Sequence, residues 1–182
     1  MNIGFDLDGC VVDFCTSFFN IMNNRYQIPV DRCNINMVTE YDMLLKMCSD
    51  NGIDSTSIIR ETLSHSTLDM YPDVYTTLLR YIYWHHKKII FITSRPKNCC
   101  DLTYRWLRHY LKPKDFSVYY VSDSCYIEEP DTCYHEKYEV CKDLNIDIMI
   151  EDAPKHIDLL MKHGIYVAVP LMPWNTRYCI NK

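Results

Sequence analysis

Asp6 and Asp8 stand two residues apart behind an apolar run that opens at Ile3, and Gly9 breaks the run directly after them. Residues i and i+2 of a strand share a face, so both carboxylates leave the strand on one side before the chain turns. Such a pair suits a hard divalent cation, because Mg²⁺ takes oxygen ligands and keeps waters that a phosphate can replace. It also suits covalent phosphoryl transfer, with one carboxylate attacking and the other moving the proton. An acidic turn would give the same string without chemistry. A calcium loop would not, since further oxygen ligands and a late glutamate are required and Val11, Val12 and Phe14 follow instead.

Two later segments repeat the pattern of an apolar run ending in polar groups. Ile89-Ile90-Phe91-Ile92 runs into Thr93-Ser94-Arg95-Pro96, where a hydroxyl can donate to a phosphate oxygen or merely cap a following helix. Ile146 to Ile150 runs into Glu151-Asp152-Ala153-Pro154, where Asp before Ala-Pro also reads as a helix start. Lys137 lies upstream, in a polar segment entering a helical stretch. A single lysine is ordinarily a solvated surface charge.

In this order, Phe5-Asp6-Leu7-Asp8-Gly9, Thr93-Ser94, Lys137 and Glu151-Asp152 resemble the four motifs of the haloacid dehalogenase (HAD) superfamily of phosphotransferases. Phe91-Ile92-Thr93-Ser94-Arg95-Pro96, Trp106-Leu107, Ile150-Glu151-Asp152-Ala153-Pro154 and Pro173-Trp174-Asn175 are similar to the 5′(3′)-deoxyribonucleotidase branch. The resemblance implies Asp6 as nucleophile and Asp8 as acid and base. It implies Mg²⁺ on the Asp6 side chain, the Asp8 carbonyl and Asp152. Thr93 and Lys137 would stabilise the phosphoryl charge, Ser94 and Arg95 would contact phosphate or cap, and Glu151 would orient Lys137 from behind. Relatives with an adjacent acidic pair usually carry Asp-Asp, so Glu151 is a departure. The implied substrate is a small phosphate ester, a deoxyribonucleoside monophosphate above all. A phosphatase or phosphotransferase for another small metabolite and a non-catalytic HAD-like binding protein are the alternatives.

Positioning these groups requires strands that end together. Strands are predicted at 3–6, 89–92, 116–121, 146–150 and 166–169, and helices over 16–24, 43–47, 58–68, 74–84, 102–111, 137–144 and 157–162. Strands separated by helices imply an α/β fold with a Rossmann-like parallel sheet and right-handed crossovers. Ligands then bind beyond the carboxyl ends of the strands. Residues 1–13 and 72–182 form the expected HAD-like core, and the helical insert 14–71 forms the expected cap. The cap would exclude water and select substrate. Phe18, Phe19, Tyr26 and Tyr41 are available to stack on a base, although aromatics at helical spacing usually fill core. Asp13 stands where a hinge between cap and core would lie.

Composition narrows the partners. The chain has 182 residues, 48% of them hydrophobic, enough to bury a core without staples. A formal net charge of −5 argues against a nucleic-acid polymer as ligand, which would need a basic patch, but not against a mononucleotide. With no signal-peptide pattern and no apolar run of membrane-spanning length, the expectation is a soluble cytoplasmic protein. A homodimer is left open. The ten cysteines then read as reduced thiols, with Cys10, Cys15 and Cys141 packing as small apolar residues. Cys125, Cys133, His135 and Cys141 lack the spacing of a tight zinc knuckle.

Overall fold

The computed structural model describes residues 1–29, 38, 42–64, 68–85, 88–121 and 134–178. Tyr41, Cys125 and Cys133 lie outside the described residues. Five short apolar segments build one sheet: β1 (Ile3–Phe5), β2 (Ile89–Thr93), β3 (Phe116–Tyr120), β4 (Ile148–Ile150) and β5 (Tyr166–Ala168). Their spatial order is β3-β2-β1-β4-β5, and all four pairings are parallel. The chain builds outward from β1 through β2 to β3, then crosses to β4 on the other side. β1 is therefore the topological switch point, where the crevice beyond the strand ends forms a binding site.

Helices cover both faces. They are α1 (Phe14–Tyr26), α2 (Met43–Asp50), α3 (Ser55–Ser64), α4 (Pro72–His85), α5 (Cys100–Tyr110), α6 (Lys137–Asp143) and α7 (Pro154–Lys162). The inner strand β2 is buried along nearly its whole length, as its unbroken apolar run requires of a strand covered on both sides. Phe5, Leu7, Leu78, Phe91, Leu107 and Phe116 belong to one core cluster. Ile92, Val140, Met149 and Leu160 belong to a second. This is the α/β architecture that the alternation of strands and helices predicts.

A third cluster lies within the insert, where Phe18, Phe19, Met22, Cys48 and Ile58 pack with Trp174 from the far end of the chain. The two chain crossings into the insert run side by side. Val12 bridges Met70 in antiparallel fashion, the Asp13 amide donates to Asp69 O and the Tyr71 amide to Val11 O. Asp13 also caps α1 by accepting from the Thr16 amide, which fixes the direction in which the insert leaves β1.

The fourth strand is shorter than its apolar run. β4 begins at Ile148 because Asn145 turns with φ 50° and the Ile146 amide closes α6 by donating to Cys141 O. α3 is described over Ser55–Ser64, and Leu68 is buried with its carbonyl accepting the Trp106 indole N–H at 2.6 Å. Among the described residues no helix is long and apolar enough to cross a membrane.

Candidate active site

The carboxyl ends of β1, β2 and β4 bring Asp6, Asp8, Thr93, Ser94, Arg95 and Asp152 to the wall of one cavity of about 320 Å³, joined there by Lys137 and Phe18. After β1 the chain wraps around one carbonyl, since the amides of Val11 and Val12 both donate to Leu7 O at 2.8 Å. Gly9 makes the turn with φ 83°, and a Cβ built on it would fall 2.2 Å from Asp152 Oδ2. Both the left-handed backbone and the close approach demand glycine.

Lys137 is buried, 3% exposed, which overturns the ordinary expectation for a lone lysine. It is the first residue of α6, whose start is fixed by Glu139 accepting from the His135 and Glu136 amides. Its Nζ donates to Asp6 Oδ1 at 2.6 Å and to Glu151 Oε2 at 2.7 Å. Glu151 is fully buried and its other oxygen accepts the Ala153 amide at 3.0 Å. The chain Asp6–Lys137–Glu151 is thus held by three separate elements.

Arg95 is 4% exposed, and its guanidinium is directed at Asp8. Nε donates to Oδ2 at 2.7 Å and Nη2 to Oδ1 at 2.5 Å, a two-pronged pairing that lysine cannot reproduce. Nη1 donates to the Thr103 hydroxyl at 3.2 Å. Thr93 is 1% exposed, and its hydroxyl accepts the Arg95 amide at 3.2 Å. Neither Thr93 nor Ser94 caps a helix: the turn over Lys97–Cys99 starts from Pro96 without a side-chain cap.

Asp152 is no helix cap either, since α7 starts from Ala153 without a side-chain cap bond. Its carboxylate points across the strand ends, where Oδ1 receives the Cys10 thiol at 3.7 Å and Oδ2 the Trp174 indole N–H at 3.1 Å. Asn175 secures the same corner from behind, donating to Asp152 O and Pro170 O. Cys10, Cys15 and Cys141 are buried free thiols, as expected, and Cys10 touches the site as well as the core.

Four carboxylates, Asp6, Asp8, Glu151 and Asp152, meet two permanent cations, Lys137 and Arg95. Burial raises Asp6 to about 7, with Glu151 and Asp8 adding to it and Lys137 opposing. Burial and the neighbouring Asp6 and Glu151 push Asp152 well up. Burial also works against ionised Glu151, but Lys137 outweighs it and, with the His156 ring, holds this carboxyl down at about 2. Lys137 serves both Asp6 and Glu151, at 2.6 and 2.7 Å. Burial opposes the charge on Lys137 too, yet Asp6 and Glu151 raise it. Asp6 and Asp152 are therefore the carboxyls whose ionised forms most lack counter-charge. Oxygens of these two residues and the Cys10 sulfur lie within 4.8 Å of one another. Hard oxygen donors carrying excess negative charge fit a divalent cation.

The remaining walls are mostly apolar, with Phe14, Phe18, Leu44, Ile59 and Leu63 from the insert together with Trp174. Phe19 is core of the insert rather than cavity wall, and Tyr26 packs against the same cluster. Sequence reasoning missed His156, which lines the cavity. A histidine on the first turn of α7 gives no signal unless Pro154 is read as turning that helix back over the strand end. Trp174 was legible only as part of Pro173-Trp174-Asn175.

No protein-family model matches the chain. The chain is 25% identical over 177 residues to the Oceanobacillus iheyensis protein "Putative nucleotidase OB0422", covering 96% of this chain and 89% of that one. A haloacid dehalogenase-like hydrolase from Streptococcus pneumoniae superposes with a TM-score of 0.60 at 14% identity, over 99% of this chain and 89% of that one. A HAD family hydrolase from Deinococcus radiodurans, solved with bound phosphate and sodium, superposes with a TM-score of 0.59 at 12% identity, over 97% and 85%. The fold is that of the HAD-like hydrolases.

Proposed function

We propose that the protein is a Mg²⁺-dependent phosphomonoester hydrolase that works through an aspartyl-phosphate on Asp6 and takes nucleoside monophosphates, as a 5′(3′)-deoxyribonucleotidase does. The observation that carries this reading is the buried Lys137 ammonium, 2.6 Å from Asp6 and 2.7 Å from Glu151, beside Asp8 and Asp152 at the switch point of a parallel sheet. A buried cation aimed at a nucleophile answers the charge that develops on a transferring phosphoryl group.

Asp6 attacks phosphorus, the P–O ester bond breaks, and the leaving sugar oxygen takes the proton of the Asp8 carboxyl. Asp8, now a carboxylate, removes a proton from water. The water oxygen attacks phosphorus, the bond to Asp6 breaks, and inorganic phosphate leaves. Thr93 and Lys137 donate to the phosphoryl oxygens, and Arg95 sets the direction of Asp8. Asp6, Asp152 and the Asp8 carbonyl would hold Mg²⁺, which supplies charge neutralisation at those oxygens when bound. Helices α1–α3 serve as the cap, and Phe18 forms part of the wall against the leaving group.

The nucleotide part of the reading draws on the name of the O. iheyensis relative and on the aromatic and aliphatic wall, which suits a base more than a bare sugar. The test is phosphate release with Mg²⁺ from 5′- and 3′-deoxyribonucleotides, ribonucleotides and sugar phosphates, with Asp6→Asn as blank. Preferential release from deoxyribonucleotides is the expected result. Release from sugar phosphates alone removes the nucleotidase reading and keeps the hydrolase. No release from any of them, with Mg²⁺ bound, removes both.

A further inference from the structure

The His156 ring lines the active-site cavity, and none of the steps above uses it. Among the described residues its Nδ1 is buried without a hydrogen-bond partner and stands 3.6 Å from Glu151 Oε2. That oxygen already accepts Lys137 Nζ at 2.7 Å, while Oε1 accepts the Ala153 amide at 3.0 Å. A carboxylate oxygen has room for two donors, so Oε2 can take an N–H from the ring as well. Four side chains then form one line: Asp6, Lys137, Glu151 and His156, separated by 2.6, 2.7 and 3.6 Å.

We propose that His156 is a positioning residue of this site, which steadies Glu151 through Nδ1–H and thereby keeps the Lys137 ammonium on Asp6. Glu151 has one more rotatable bond than an aspartate, and it is tethered at one oxygen by a backbone amide. Without a second donor at Oε2 the carboxylate can swing about that tether and draw Lys137 after it. His156 removes that freedom, because Pro154 starts α7 with a fixed φ and places the ring over the strand end. The longer Glu151 and the ring on the first turn of α7 form one device. A proline-fixed helix start supplies the donor that the longer side chain needs.

The inference rests on the phosphatase reading for its kinetic consequence and on geometry alone for its tautomer. His156→Ala should lower kcat about 10- to 100-fold, as loss of outer partners does in such sites, with KM within about twofold because no substrate contact is removed. His156→Asn places an amide N–H where Nδ1 was and should recover most of the rate. His156→Gln places its amide at the Nε2 position and should not. Turnover is followed with p-nitrophenyl phosphate and dUMP. Ring ¹⁵N shifts of the wild-type protein, assigned by difference from His156→Asn, should report the Nδ1–H tautomer. A wild-type rate retained by His156→Ala, or equal rescue by Asn and Gln, overturns the proposal. So does an Nε2–H tautomer. Should the wild type release no phosphate from either probe, the phosphatase reading fails and the tautomer decides the inference by itself.

Discussion

Arg95 grips Asp8 with two nitrogens, at 2.7 and 2.5 Å, while the guanidinium itself is buried and braced by Thr103. The motif order suggested that Arg95 would meet phosphate or cap. In the structure its guanidinium is paired with the proposed acid and base at the cavity wall. A side chain acting through Asp8 has a definite signature. Arg95→Met should lower kcat about 100-fold, the scale of losing a positioned proton-transfer group, with little change in KM. The double variant Asp8→Asn/Arg95→Met should be no slower than Asp8→Asn alone. A large rise in KM, or additive losses, would return Arg95 to the phosphate.

The pairing of Lys137 with two carboxylates predicts non-additive stability. Lys137→Met leaves Asp6 and Glu151 buried without their cation and should cost about 3–5 kcal/mol. Adding Asp6→Asn removes one of the stranded charges. The double variant should therefore be more stable than Lys137→Met by at least about 1 kcal/mol, measured by urea denaturation. Additive losses would mean that the two groups do not share one electrostatic unit.

How much of this site was legible beforehand depends on distance along the chain. Asp6, Asp8, Thr93 and Asp152 were found because each closes an apolar run, and the parallel sheet then brings those ends together. Lys137 was placed by motif order alone, since nothing local distinguishes it from a surface lysine. Its burial depends on its ammonium reaching Asp6 and Glu151, 131 and 14 residues away along the chain, a tertiary fact. The Arg95–Asp8 pair spans 87 residues, and the Trp174–Asp152 contact needs the chain end to fold back beneath the insert. Patterning of period two or 3.6 carries no information about either. Strand limits failed where a helix end competed for the same residues, as at Ile146.

Acid–base linkage gives a prediction for the metal-free protein. The Asp6 carboxyl is raised from 3.8 to about 7 by burial and its acidic neighbours, and Asp152 is raised in the same sense. A carboxyl raised on folding contributes stability that is fully present below its unfolded value and lost as pH rises through the folded one. Glu151, lowered to about 2, works oppositely and only in acid, below its ordinary 4.5. In EDTA the melting temperature should therefore fall between about pH 5 and about pH 8. Saturating Mg²⁺ should remove most of that fall, and Asp6→Asn should flatten it without metal. A melting temperature that rises over this range in EDTA would contradict the charge excess assigned to the site.

Trp174 joins two regions that must act together, since its indole N–H holds Asp152 Oδ2 at 3.1 Å while its ring packs in the cluster of the helical insert. The two contacts can be separated by substitution. Trp174→Phe removes the donor and keeps an aromatic ring in the wall, so Asp152 loses the indole N–H and keeps the Cys10 thiol. Outer partners of metal-binding groups are typically worth about 10- to 100-fold in affinity. The apparent Mg²⁺ affinity should weaken toward that range, read by calorimetry, with the KM for a nucleotide little changed. Trp174→Leu removes the ring face as well and should raise KM in addition. Should Trp174→Phe bind Mg²⁺ as the wild type does, the indole N–H does not orient the carboxylate, and the role of Trp174 is confined to the wall of the cavity.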